Sequence, residues 1–383
     1  MSLKHTPILQ DRWHLIAIIL GATMAIIFLS VKYGHHQINF ADAHVMGAET
    51  SEIKYAMNGF KIHCGDSRDA HECLTGLNQA PHKNVALWLG NSQLHAVNQL
   101  QPNQLNAPPI AFKQFDREQI YLMTFSQPNA NLQEHFLTYL YLNQQRQISH
   151  LILPVVFDDF REDGIRLELL SFSEDPKTYQ KLIQSPIGQK IIKEKELAAN
   201  KNNTDTAGLN GTIQDHVERY LKNWFDKNLG FWQARPDARG TLFTHLYLIR
   251  NSILGITPSS KRKIIRGQYQ DNMNALKAIL ELAKNNSAQV LVYIAPLRND
   301  VEIPYIKSEY ESFKQEVQTL VKEHDAKFAN FENLVPAELW GSKGGTTLGE
   351  EPEIDFMHFQ SGGHTLLANE VVKQLLNAKR FNQ

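Results

Sequence analysis

Residues 84–92 read Asn-Val-Ala-Leu-Trp-Leu-Gly-Asn-Ser. Five consecutive apolar residues, Val85 to Leu89, closed by Gly90, predict a strand covered on both faces, as parallel-sheet strands are. A helix is expected to follow from Ser92. Ser92 then stands where a buried strand turns into a helix, a place that lifts a hydroxyl above the sheet edge and aims backbone N–H groups at whatever its oxygen attacks. That is a nucleophile's position. Serine is also a favoured helix N-cap, so a purely structural role competes for the residue.

Working outward, Gln119 to Phe125 and Leu151 to Phe157 are further strand candidates, with a helical stretch, Asn131 to Leu142, between them. The rhythm resumes with a helix over Asn272 to Lys284, a strand over Gln289 to Ala295, a helix over Tyr310 to His324 and a last strand over Ala329 to Leu334. Gly363 to Asn377 closes as an amphipathic helix with Leu367, Val371 and Leu375 on one face. Strands alternating with helices imply right-handed crossovers and a parallel sheet between helical layers, an α/β fold in three layers, α/β/α. Residues 166–270 break the alternation and are expected to be a helical insertion. In it, Thr212 caps one helix, Leu242 to Leu254 forms another, and Ala198 to Gly211 is an exposed loop. Its dense basic run, Lys261, Arg262, Lys263 and Arg266, reads as a solvated helix face or as a contact for headgroups or an anionic glycan.

The N-terminal region decides the compartment. Trp13 to Val31 runs nineteen residues without an Asp, Glu, Lys or Arg, between Arg12 and Lys32. At helical rise that spans roughly 30 Å of hydrocarbon. A transmembrane anchor at 13–31 is expected, with 1–12 cytoplasmic, because Lys4 and Arg12 face only Lys32 across it. A cleaved signal peptide is the alternative, though its small-residue site, Ala41-Asp42-Ala43, falls well past the apolar run. The bulk of the chain is then extracytoplasmic, on the periplasmic side. Residues 34–82 read as a stem ahead of a domain over 83–383. The two cysteines of the chain, Cys64 and Cys73, fit a disulfide in an oxidising compartment. A metal site of His63, Cys64, His71 and Cys73 competes with it, as do two free thiols, but the spacing matches no usual zinc pattern, and neither metal nor cofactor is expected. With 39 basic and 40 acidic residues the net charge is −1, which gives no global attraction to nucleic acid.

The second chemical element is Asp355-Phe356-Met357-His358, expected on a loop before the last helix. A carboxylate three residues ahead of an imidazole can orient the ring and favour its protonated form, which makes the pair a general base for a serine. His364, inside or at the start of the terminal helix, is the rival imidazole, whereas His95, one turn after Ser92, reads as a surface or packing residue.

Gly90-Asn91-Ser92 and Asp355-x-x-His358 together resemble the first and last blocks of the SGNH/GDSL hydrolase superfamily, in identity, order and position. The resemblance covers about 84–164 and 272–380. It implies Ser92 as nucleophile, His358 as base and acid, and Asp355 as its orienter. The intervening blocks depart from the family. Where a glycine is expected after the second strand the chain has Ser126 to Asn131, and where an asparagine would donate to the oxyanion it has Val156-Phe157-Asp158-Asp159. An ionised aspartate cannot donate, so Asn129 and the Ser92 amide are the candidate oxyanion donors. Arg161 and Arg298, after strand ends, are candidates for anion or glycan contacts, or plain surface arginines. The architecture resembles the membrane-anchored DltD/AlgX/AlgJ-like branch, which implies acyl transfer or ester hydrolysis on envelope glycans or polymers beside a membrane-bound O-acyltransferase. A non-catalytic assembly or polymer-binding partner of such an enzyme is the competing expectation.

Overall fold

The computed structural model describes residues 50–206 (apart from 54, 58 and 66), 260–343 and 353–376. The chain divides into two compact units, 45–202 with 256–383, and 1–44 with 203–255, and the first holds everything that follows except residues 203–206 at the end of a helix. The expected anchor at 13–31 and the expected helices after Thr212 lie outside the described residues. Among the described residues no helix is long and apolar enough to cross a membrane.

In chain order the elements begin with short strands β1 (Thr50–Glu52), β2 (Ala56–Met57), β3 (Phe60–Lys61) and β4 (His63–Cys64), then helix α1 (Ser67–Gln79). The stretch that opens the reading is β5 (Asn84–Gly90). It is followed by a single turn, α2 (Ser92–His95), then β6 (Ala96–Asn98) and α3 (Ala107–Arg117). Next come β7 (Ile120–Ser126), α4 (Leu132–Gln145) and β8 (His150–Val155). Beyond them lie α5 (Leu167–Leu170), α6 (Pro176–Leu182), α7 (Pro186–Thr206) and α8 (Arg266–Asn285). The last third holds β9 (Gln289–Ile294), α9 (Lys307–Glu323), β10 (Lys327–Asn330), β11 (Trp340–Lys343), β12 (Glu353–Phe359) and α10 (Ser361–Leu376).

Six strands form one sheet in the order β10-β9-β8-β5-β7-β4, and every pairing is parallel. Val85 to Leu89 are fully buried, as a continuous apolar run in a central strand requires. The chain leaves β5 for β7 on one side and then crosses back to β8 on the other. The strand order therefore reverses beside β5, and in open α/β sheets the crevice at such a reversal, at the carboxyl ends of the strands, receives ligands. Ser92 is two residues past the end of β5.

Several expectations are corrected. The helix expected from Ser92 is one turn long, because Ala96 to Asn98 turn away to pair antiparallel with β1. The long helix comes later, as α3, with Pro108 and Pro109 in its first turn, where a missing N–H costs nothing. The expected stem contributes to the sheet itself, since His63 and Cys64 extend the edge beyond β7 in register with Thr124 and Phe125. Ala198 to Thr206, expected as a loop, continue α7, which after Gly188 meets no proline or glycine before Gly208. The basic run is not one helix face, because Arg262 bridges to Tyr305 in extended conformation and only Arg266 stands in a helix, at the start of α8.

Cys64 and Cys73 are joined in a disulfide, Cα to Cα 6.5 Å, tying β4 to α1. Both thiols are consumed, so neither can serve a metal as thiolate. His63 is also engaged, with Nδ1 facing Thr124 Oγ1 at 3.1 Å and Nε2 facing Ser126 Oγ at 3.0 Å.

Candidate active site

The turn after β5 is built by Asn91. Its Oδ1 accepts from the Gln93 amide at 3.0 Å and caps α2, while its Nδ2 donates to both carboxylate oxygens of Asp159, at 3.2 and 3.0 Å. The cap is therefore Asn91, and Ser92 is the first residue inside the turn, its side chain left for other work. Gly90 admits this turn, because a Cβ there would meet the Leu94 side chain at 2.9 Å.

Asp355 and His358 lie in β12, not in a loop. The pairing with β11 matches Trp340 to Phe359 and Ser342 to Ile354, so residues 355–358 bulge out opposite Gly341. Bulges of this kind re-aim side chains near active sites. The bulge is closed on itself, with Asp355 Oδ1 accepting from the Met357 and His358 amides at 2.9 and 3.0 Å. Two of its carbonyls are met from outside. Arg298 N donates to Phe356 O at 3.3 Å, and Gln93 Nε2 donates to Met357 O at 2.8 Å as well as to Pro296 O at 2.8 Å.

The structure brings the three expected residues into one hydrogen-bonded chain. His358 Nδ1 is 3.0 Å from Asp355 Oδ2, and His358 Nε2 is 2.9 Å from Ser92 Oγ. A carboxylate only accepts, so Nδ1 carries the ring proton and Nε2 is left to accept from the serine hydroxyl. Burial pushes the Asp355 carboxyl up, but its electrostatic attraction to the His358 ring and the hydrogen bonds from His358 and Met357 outweigh it and hold the group below the ordinary range. It is a carboxylate at neutral pH. All three side chains are nearly enclosed, with Ser92 7%, His358 6% and Asp355 2% exposed.

The other two imidazoles are otherwise engaged. His364 Nε2 donates to Ala96 O at 3.0 Å, and its Nδ1 accepts from the Ala107 amide at 3.3 Å. Burial pushes this ring down to about 3, so it is neutral and serves as a structural bridge. His95 Nδ1 faces Ser126 Oγ at 2.7 Å, the hydroxyl that His63 also meets.

Of the remaining candidates, Asn129 makes no hydrogen bond to Ser92 or His358. It lines a cleft with Asn131, Glu134 and residues 162–166. Arg161 donates to Asp158 Oδ1 at 2.9 Å and to Lys263 O at 2.9 Å. Arg262 and Tyr305 also bond Asp158, which is thereby taken up in a structural knot. Arg298 forks onto Asp300 at 2.8 and 3.0 Å and reaches Gly341 O at 2.9 Å, so it braces the strand beside the bulge. Asp159 is buried, and that burial drives its carboxyl well above the ordinary range against the pull of the Asn91 amide. Gln93 and Asn98, which hold the bulge, belong to no motif. Only the tertiary pairing identifies them.

No family model and no curated protein matches the sequence. Among solved structures the chain is similar to a GDSL-like lipase from Bacteroides thetaiotaomicron, at 10% identity and a TM-score of 0.38, over 81% of this chain and 97% of that one. It is also similar to an acetylxylan esterase from Geobacillus stearothermophilus, at 8% identity and a TM-score of 0.34, over 77% of this chain and 95% of that one.

Proposed function

We propose that this chain is a serine acyl-transfer enzyme of the SGNH type, an esterase or O-acyltransferase, with Ser92 as nucleophile, His358 as general base and acid, and Asp355 as the group that orients and charges the ring. The observation that carries the reading is the unbroken bond chain from Ser92 Oγ through the His358 ring to Asp355 Oδ2. In the reaction Ser92 Oγ attacks an ester carbonyl carbon as its proton passes to His358 Nε2. Asp355 stabilises the imidazolium so formed. The Ser92 N–H, first in its helical turn and so without an intrahelical acceptor, donates to the developing oxyanion. Collapse expels the alcohol, which takes the proton from His358 and leaves an acyl-serine. Water or a sugar hydroxyl then gives its proton to His358 and attacks the acyl carbon, and collapse returns that proton from His358 to Ser92 Oγ as the acid or new ester leaves. Hydrolysis and transfer differ only in that acceptor.

The anchor expected at 13–31 and the Cys64–Cys73 disulfide support an extracytoplasmic setting, with envelope glycan or polymer as the acyl acceptor or ester substrate. A membrane-bound O-acyltransferase is the partner this setting implies. The rival reading, a non-catalytic partner of such an enzyme, is favoured by the third strand end, where Asp158, held by Arg161, Arg262 and Tyr305, stands in place of a donor. A fluorophosphonate probe separates the two. Mass spectrometry should find the label on Ser92, and Ser92→Ala should abolish both labelling and p-nitrophenyl acetate turnover in a folded protein. A wild type that takes no label and turns over no ester would leave the non-catalytic reading, and a folded Ser92→Ala that still turns over the ester would remove Ser92 as the nucleophile.

A further inference from the structure

The hydrogen-bond chain continues past Asp355. Asn98, the last residue of β6, is fully buried, and its Nδ2 donates at 3.1 Å to Asp355 Oδ2, the oxygen that also faces His358 Nδ1. We infer that Asn98 is a positioning residue for the catalytic base, fixing the Asp355 carboxylate and through it the His358 ring relative to Ser92. This rests on the serine acyl-transfer reading of the site.

Four donors surround the Asp355 carboxylate. Three come from its own bulge, the Met357 and His358 amides and the His358 ring. These fix the carboxylate to the ring but say nothing of where the pair stands relative to the serine. The fourth, Asn98, is six residues beyond Ser92, in the strand that leaves the Ser92 turn directly. It is therefore the donor that references the base to the nucleophile's own segment. Its orientation is determined by its neighbours, since Nδ2 also faces Ser342 O at 2.8 Å and Thr50 Oγ1 at 3.2 Å. A carbonyl and a carboxylate can only accept, so the amide must present its N–H groups to them. Room for the amide comes from Gly341, where a Cβ would collide with the Asn98 side chain. A buried donor to a charged acceptor contributes enough that losing it lowers a rate by about 10–100-fold where the acceptor's geometry matters.

The test uses the full chain with p-nitrophenyl acetate as substrate. Asn98→Ala removes the donor. Asn98→Asp keeps the shape and turns an acceptor toward Asp355, so a folding failure of the first leaves the second to decide. In each folded variant kcat should fall about 10–100-fold with KM within about twofold, and Asn98→Ala should cost nothing further in an Asp355→Ala background, because the two belong to one unit. Unchanged kcat in either folded variant overturns the inference, and so does the same loss repeated in the Asp355→Ala background, which would mark Asn98 as a packing residue. Turnover surviving Ser92→Ala would instead overturn the underlying reading. A dead Ser92→Ala beside a fully active Asn98→Asp sinks this inference alone.

Discussion

His358 and His364 differ in what their nitrogens face. His358 has a carboxylate on one side and a hydroxyl on the other, whereas His364 is locked between an amide and a carbonyl inside the core. Sequence position put His364 in the terminal helix and made it the weaker rival, but its neutral state follows chiefly from burial, which no motif records. His135 is the same case, pushed down to about 3 chiefly by burial and further by the nearby Arg166 charge. Both folded values lie below the ordinary 6.5, so the unfolded chain takes up protons that the folded one refuses as pH falls. The contribution is full above about pH 6.5 and is lost progressively toward pH 3, at about 2 kcal/mol per ring by pH 5. His364→Gln keeps a donor for Ala96 O and removes the titration. Its loss of Tm between pH 7 and pH 5, followed by calorimetry, should be smaller than the parent's, while ester turnover at pH 7 stays as it was. A parent-like pH slope would show that His364 protonates in the folded state.

The buried strands were legible as elements because a continuous apolar run has few other uses. β5, β7, β8 and β9 begin within one residue of their expected starts. The pieces that escaped are short and polar. β4 is two residues long, and β6 ends in the polar Asn98, so neither has periodicity to read. The β12 bulge escaped for a different reason, since a register shift depends on the partner strand. The cysteine pair was readable as a bond but not as a fastening for the sheet edge. A closed loop of this size contributes roughly 2–3 kcal/mol by the chain-entropy estimate. Replacing both cysteines by alanine should therefore lower Tm by several degrees without changing kcat at low temperature, because the Ser92–His358–Asp355 chain has no member in β4 or α1. If kcat falls with Tm well above the assay temperature, the bond acts on the site as well as on the edge.

For the whole molecule the compartment is the open expectation, and it has a direct measurement. A reporter fused at Gln383 that is active only outside the cytoplasm, such as alkaline phosphatase, should give signal, and a fusion active only inside should give none. The opposite pattern would overturn the anchor orientation and the envelope setting while leaving the esterase chemistry untouched. The α/β class was readable from alternation, and the catalytic candidates from two short motifs, but the means of joining them lies in Gln93, Asn98 and Gly341, which look ordinary in sequence. Ser92 and His358 are 266 residues apart. A contact that distant forms late, after the loop-closure entropy of the intervening sheet has been met. On the acyl-transfer reading, a newly made chain carries its serine early and acquires its base only when the last strands dock, so it should stay inert toward esters until folding is complete.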